Sequence, residues 1–183
     1  MTGLGAFNSN GYLAGDVAIP EGVTDMKQGV VYSPDLVKTI KFPSTLTSLG
    51  DYCFDNNSKG LYNVSSIKLP KLCTFIGHSA FSHLGTNTSG CQLEIEALNS
   101  FNIGSQCFYY SKVSSLNFTS PKTDGFKLIL QELAFEGGSQ NLSIQVPINT
   151  ILELYGYVFS DNKTLKINLE NISEIHILDS YAL

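Results

Sequence analysis

A small-then-aromatic residue pair returns along the chain at nearly constant spacing, and this constrains the fold more than any other feature. The pairs and their equivalents are Ala6-Phe7, Val30-Val31, Cys53-Phe54, Ala80-Phe81, Cys107-Phe108, Ala134-Phe135, Val158-Phe159 and Ala182-Leu183. Their second members, the anchors, are separated by 24, 23, 27, 27, 27, 24 and 24 residues, and six of the eleven Phe fall in this one column. Five residues before the anchors stand Thr2, Met26, Leu49, Ile76, Ile103, Leu130, Leu154 and Leu178, apolar in seven of eight cases. Gly3, Gly50, Gly77 and Gly104 follow four of these and predict a tight turn there.

Between anchors runs a pentad of alternating polar and apolar residues, often closed by Pro: Asp16–Pro20, Thr39–Pro43, Ser66–Pro70, Gln92–Glu96, Ser115–Thr119, Ser143–Pro147 and Lys166–Glu170. Period-two alternation is the mark of a strand with one buried face, and Pro ends the ladder because it has no N–H to donate. One strand per repeat, at one repeat per turn, predicts parallel pairing of successive pentads in an all-β solenoid of about seven rungs of 23–27 residues. Equivalent residues then lie directly above one another, so Ile40, Ile67, Leu93, Leu116, Ile144 and Ile167 line the inside of the sheet opposite the anchor column. The intervening segments are rich in Gly, Asn and Ser and show no sustained 3.6-residue period. They are expected to form turns, short strands or single 3₁₀ turns.

The string Leu46-Thr-Ser-Leu49-Gly50-Asp-Tyr-Cys53-Phe54, followed by Ser66-Ile67-Lys68-Leu69-Pro70, resembles the BspA-type leucine-rich repeat. The resemblance spans essentially the whole chain, residues 1–183, and is strongest from Leu36 to Phe108. It implies a single solenoid domain with a parallel sheet on the concave face. It further implies a surface or secreted binding role, often adhesion, as an association of the family and not a site-level mechanism.

Composition closes off several function classes. All 11 cations are Lys, against 16 acidic residues and a formal charge of −5. Nucleic acid is therefore not an expected partner, since phosphate binding uses basic clusters and base reading favours Arg. No run approaches the ~18 apolar residues of a membrane span, so no membrane insertion is expected. Cys53 and Cys107 sit in the small column two rungs apart, roughly 10 Å, beyond disulfide reach. Cys73 and Cys91 are expected as unpaired structural thiols, with a Cys73–Cys91 bridge as the alternative. No cysteine pair has zinc-ligand spacing, and no cofactor or metal is expected. His78, His83 and His176 form no ligand motif and are read as surface or edge residues. Glu94 and Glu96 are the most site-like carboxylates, but in the expected register Glu94 meets Lys68 and Asn117, not further acids. A surface ion pair is the better reading, and no catalytic residue or enzymatic activity is expected. Seven Asn-x-Ser/Thr triplets, at Asn56, Asn63, Asn87, Asn117, Asn141, Asn162 and Asn171, arise from Asn and Ser/Thr alternating in the repeats.

The outward side of the pentad sheet is the candidate binding face. One row holds Ala18, Lys41, Lys68, Glu94, Asn117, Gln145 and Asn168; the flanking row holds Asp16, Thr39, Ser66, Gln92, Ser115, Ser143 and Lys166. Stacking aligns such side chains into one extended surface. These rows lack aromatic residues and Arg, the usual binding anchors. Tyr109, Tyr110, Tyr155 and Tyr157, near the anchors, form a rival patch. The expected function is a non-enzymatic, adhesin-like binding module, extracellular or at a cell surface, recognising a protein or glycan. The alternative is a structural or receptor-binding component of a virion or surface fibre. Because Leu183 falls on the eighth anchor, the array is expected to continue or to meet another chain end to end.

Overall fold

The computed structural model describes residues 14–29, 31, 34–55, 57–98, 100–119, 125–138 and 141–181. The anchor pairs Ala6-Phe7 and Ala182-Leu183, with Val30, Thr2, Gly3 and Asn56, lie outside these residues. Among the described residues there is no α-helix; the only helical segments are two 3₁₀ turns, Pro34–Leu36 and Leu169–Asn171.

The pentads form strands as their alternation dictates. They are β1 (Gly15–Ala18), β3 (Val37–Lys41), β5 (Ser66–Leu69), β7 (Cys91–Glu96), β9 (Val113–Thr119), β11 (Leu142–Gln145) and β13 (Leu165–Ile167). All their ladders are parallel, in a five-stranded sheet from β5 to β13 and a separate β1–β3 pair. Where β3 and β5 share no ladder, side chains join the two rungs: Asn63 Nδ2 donates to the Asp35 carbonyl at 2.8 Å, and Lys59 lies 3.6 Å from the Asp35 carboxylate. Pro20, Pro43, Pro70 and Pro147 each stand one or two residues past a strand end.

Each rung carries a second strand that the alternation does not announce. These are β2 (Asp25–Met26), β4 (Ser48–Leu49), β6 (Phe75–Ile76), β8 (Ser100–Ile103), β10 (Lys127–Leu130), β12 (Thr150–Leu154) and β14 (Ile172–Ile177). They make the largest sheet, seven parallel strands in strict rung order. These are the short strands expected on the other side of each rung, where the pentad alternation by itself announces one strand per repeat. The second set begins as two-residue strands, too short to display a period, and lengthens toward the C-terminus.

A third ladder joins the anchor segments. The amides of Phe54, Phe81, Phe108 and Phe135 donate to Ala80, Cys107, Ala134 and Val158 of the next rung at 2.8–3.1 Å. Two residues before the anchors, Tyr52, Ser79, Gln106, Leu133, Tyr157 and Tyr181 all take the left-handed conformation, with φ between 50° and 63°. This conformation costs a residue with a side chain roughly 1–2 kcal/mol. It also turns each amide of Tyr52, Ser79, Gln106 and Leu133 onto a carbonyl of the following rung, at 2.8–3.1 Å. Repetition in every rung supplies the bond that offsets the strain.

The expected tight turn is present, with the Ala80 and Cys107 amides donating to the Gly77 and Gly104 carbonyls at 3.3 and 3.2 Å, but the turn does not use the left-handed freedom of glycine. None of Gly50, Gly77 and Gly104 has positive φ; a Cβ on Gly77 would lie 2.5 Å from the Asp51 amide, and one on Gly104 would lie 2.6 Å from the Gly77 carbonyl carbon. Glycine stands at these three positions because neighbouring rungs touch there backbone to backbone.

Between the walls lies one continuous core. Phe54, Phe81, Phe108, Phe135 and Phe159 stack ring on ring at 5.0–5.8 Å with interplanar angles of 3–16°. The inward pentad residues Ile40, Ile67, Leu93, Leu116 and Ile144 are buried opposite them, and Ile167 of the last strand is half-buried.

Candidate functional site

The outward rows stack residue upon residue. In the five-stranded sheet Lys68 pairs with Glu94, Glu94 with Asn117 and Asn117 with Gln145, while Ser66, Gln92, Ser115, Ser143 and Lys166 form the flanking row. In the separate pair Ala18 faces Lys41, and Asp16 faces Thr39, whose hydroxyl donates to the Asp16 carboxylate at 2.6 Å. Lys41, Thr39, Ser66, Lys68, Glu94 and Gln145 are exposed; Ser115 and Asn117 are half-buried. A break in the ladder thus separates Lys41 and Thr39 from Lys68 and Ser66.

Lys68 Nζ lies 3.6 Å from Glu94 Oε2, with both side chains well exposed. A pair so hydrated contributes under about 1 kcal/mol, so it organises the surface more than it stabilises the fold. Glu94 thus lies between an ammonium and an amide. Asn168 is drawn out of the row: its Oδ1 accepts from the Val146 amide at 3.0 Å and its Nδ2 donates to the Val146 carbonyl at 3.2 Å. Its amide thereby continues the ladder past the end of β13.

The buried thiols are free. Burial pushes Cys53 and Cys107 far above the ordinary thiol range and Cys73 and Cys91 up to about 12. They remain protonated and inert at neutral pH, and the Cys73–Cys91 bridge does not form.

The rival aromatic patch is richer than sequence suggests. Tyr109 and Tyr110 meet edge to face at 4.4 Å, and His83 stacks on Tyr110 at 6.2 Å with Tyr62 and Tyr109 at its edges. Tyr110 also lies over Gly137, where a Cβ would come within 3.1 Å of the ring. His83 is half-buried with Nδ1 unpartnered, which corrects its reading as a surface or edge residue. Burial raises the Asp55 carboxyl, against the opposing charge of His83 and a hydrogen bond from the Ser58 amide. Tyr157 stacks instead on Tyr181 at 5.3 Å, and His78 packs edge-on against Tyr52 at 4.9 Å.

A second charged group lies on the seven-stranded sheet. Lys127 Nζ donates to Glu153 Oε1 at 2.8 Å, His176 Nδ1 lies 3.6 Å from the same oxygen, and His176 Nε2 is 3.0 Å from Glu174 Oε2. The Lys127 hydrogen bond, only partly opposed by burial, holds the Glu153 carboxyl below the usual range. The sequence reads His176 as a surface or edge residue and hides the cluster, because its four members come from strands whose register the sequence does not give. Among the described residues no helix is long and apolar enough to cross a membrane, and no group of three or more His, Cys, Asp or Glu is placed to hold a metal ion.

No curated protein and no solved structure matches the chain. The model of the BspA type leucine rich repeat region matches it in six copies, over residues 3–96 and 101–183. A repeat signature over nearly the full length, carried by in-register parallel rungs, places this chain in the BspA-type leucine-rich repeat family, whose members are repeat proteins of protein interaction and surface binding.

Proposed function

We propose that the chain is a non-enzymatic binding module, extracellular or at a cell surface, that recognises a protein or glycan through the outward face of the pentad sheet. The observation that carries this reading is the register of that face, where Lys68, Glu94, Asn117 and Gln145 follow one another on four adjacent strands beside Ser66, Gln92, Ser115 and Ser143. Polar side chains at matching positions of each rung give a continuous, hydrogen-bonding surface of the kind solenoids use for extended ligands. Neither nucleic acid nor a bilayer suits it, since its few lysines alternate with acids and amides.

The test is binding to an immobilised glycan array and a panel of extracellular-matrix proteins, by the intact chain and by a variant combining Lys41→Glu, Lys68→Glu, Asn117→Ala and Gln145→Ala. The expected result is a ligand whose affinity falls about tenfold or more in a variant with an unchanged circular-dichroism spectrum. Unchanged binding would move the site off this face, with the Tyr62, His83, Tyr109 and Tyr110 cluster next in line.

A further inference from the structure

Two residues past the anchors, the rungs share a position that the core does not use. The amide of His83 donates to the Tyr109 carbonyl at 2.9 Å, that of Tyr110 to the Glu136 carbonyl at 3.0 Å, and that of Gly137 to the Ser160 carbonyl at 3.2 Å. This ladder makes His83, Tyr110, Gly137 and Asp161 equivalent places in successive rungs, and all four are left-handed, with φ between 49° and 72°. Equivalent residues of a solenoid project alike, one rung apart. His83 and Tyr110 do so, with rings 14° from parallel and centroids 6.2 Å apart.

At Gly137 the column of side chains breaks. A Cβ there would lie 3.1, 3.3 and 3.4 Å from Cε1, Cδ1 and Cζ of Tyr110. Three adjacent ring carbons at nearly one distance put that point over the face of the ring, since an approach in the ring plane would leave the outer two well beyond the middle one. A side chain at 137 would therefore extend the stack, as Tyr110 extends it from His83. The backbone conformation does not demand glycine, because His83, Tyr110 and Asp161 hold it with side chains. Glycine instead leaves this face of Tyr110 uncovered by its own rung, and Tyr110 is 52% exposed although His83 stacks on it.

What fits this place is a flat body about one rung, ~4.8 Å, thick. It needs an apolar face for the ring of Tyr110 and hydrogen-bond donors at its rim, because two carboxylate residues border the place: Glu136 directly before Gly137, and Asp161 one rung on. A sugar ring in the chair form has both. Its C–H hydrogens meet the negative face of an aromatic ring, and its hydroxyls donate to carboxylates in short, charge-assisted bonds. A phenyl ring would cover Tyr110 but strip water from the carboxylates without replacing the lost hydrogen bonds. We propose that the face of Tyr110 over Gly137 is a binding site for a neutral pyranose, with Glu136 and Asp161 accepting from its hydroxyls. The site lies on the bends between anchors and pentad strands, outside the rows of the pentad face, and the proposal stands whether or not that face binds a ligand.

Saturation-transfer NMR on the intact chain tests it, with the methyl pyranosides of glucose, galactose, mannose and N-acetylglucosamine as probes. The expected result is binding of at least one of them with a Kd on the order of 1 mM, as suits a single ring on one aromatic face, with saturation strongest at the ring C–H protons. Tyr110→Ala should weaken binding about tenfold or more, and Tyr110→Phe less than about threefold, because the face is used and not the hydroxyl. Gly137→Asn, a residue that tolerates the left-handed backbone, puts a side chain in the sugar's place and should abolish binding with an unchanged circular-dichroism spectrum. Tyr110→Ala, at an exposed position, carries the test should Gly137→Asn not fold. Glu136→Ala combined with Asp161→Ala should weaken binding about tenfold. No saturation of any of the four sugars overturns the proposal, as does binding indifferent to Tyr110→Ala or to the loss of both carboxylates. A lysine-rich peptide that binds at Tyr110 in place of the sugars, and is released by salt, would make the site a cation–π platform and overturn it equally.

Discussion

The rung around Phe108 and the last described strand, β14, share the repeat pattern and differ in what lies beside them. Phe108 has Phe81 on one face and Phe135 on the other, at 5.8 and 5.0 Å, and is 1% exposed. Ile177 occupies a column that is buried in every rung from Leu49 to Leu154, and Ile175 one that is buried at Phe101, Leu128 and Leu152, yet about half of each is open. Burial here belongs to the stack, because a residue is covered only when a rung lies on both sides of it. This is the nearest-neighbour character of solenoids, and it predicts that equal chemical changes have unequal effects along the array.

Phe108→Ala should have the largest effect. It removes a buried ring and leaves a cavity that the rigid stack of Phe81 and Phe135 cannot close, costing about 3–5 kcal/mol. Ile177→Ala, measured by the same urea unfolding experiment, should cost under about 1 kcal/mol, because much of its side chain is already in water. Similar losses at the two positions would break the comparison and mean that the last rung is covered in solution.

Next in size is Gly104→Ala. The added methyl would lie 2.6 Å from the Gly77 carbonyl carbon and 2.8 Å from the His78 amide nitrogen, both backbone atoms that cannot swing away. Separation of the two rungs should cost about 1–3 kcal/mol, read as a lower urea midpoint. An effect confined to a few tenths of a kcal/mol would show that the rungs can slide apart there.

These positions also show what the sequence discloses. The anchor column is legible because only a large apolar residue fills the space between sheets, so Phe recurs and its period can be counted. The outward rows are legible because alternation fixes which side each residue faces, and Lys68 opposite Glu94 follows once parallel pairing is granted. The seven-stranded sheet is hidden at its start, since Asp25–Met26 and Ser48–Leu49 are too short to alternate. The left-handed column is hidden for a different reason. Tyr52, Gln106 and Leu133 carry no glycine-like signal, and the stacked neighbours, not their own preferences, impose the conformation. The Tyr62, His83, Tyr109 and Tyr110 cluster is hidden because its members occupy different repeat positions and meet only in three dimensions.

The smallest effect concerns how the last rung is held. Lys127 Nζ donates to Glu153 Oε1, and the same oxygen lies 3.6 Å from His176 on β14, so this carboxylate ties three strands of the sheet together. The lysine hydrogen bond lowers the Glu153 carboxyl from its usual value of 4.5. A depressed carboxyl contributes stability above the unfolded-state value, and loses it as pH falls from there through the folded value. Glu153→Gln should therefore cost stability at pH 7, under about 1 kcal/mol because Lys127 and His176 are well hydrated. At pH 3 the gap between the two proteins should narrow, since that pH lies below the unfolded-state value of 4.5, where the contribution of a depressed carboxyl is being lost. Hydrogen exchange at the amides of β14 is the sensitive readout, because the substitution loosens this rung before it affects the rungs around Phe108. A gap that widened toward acid would mean that the carboxyl is stabilised in its protonated form, and that the charge row is not what fastens β14.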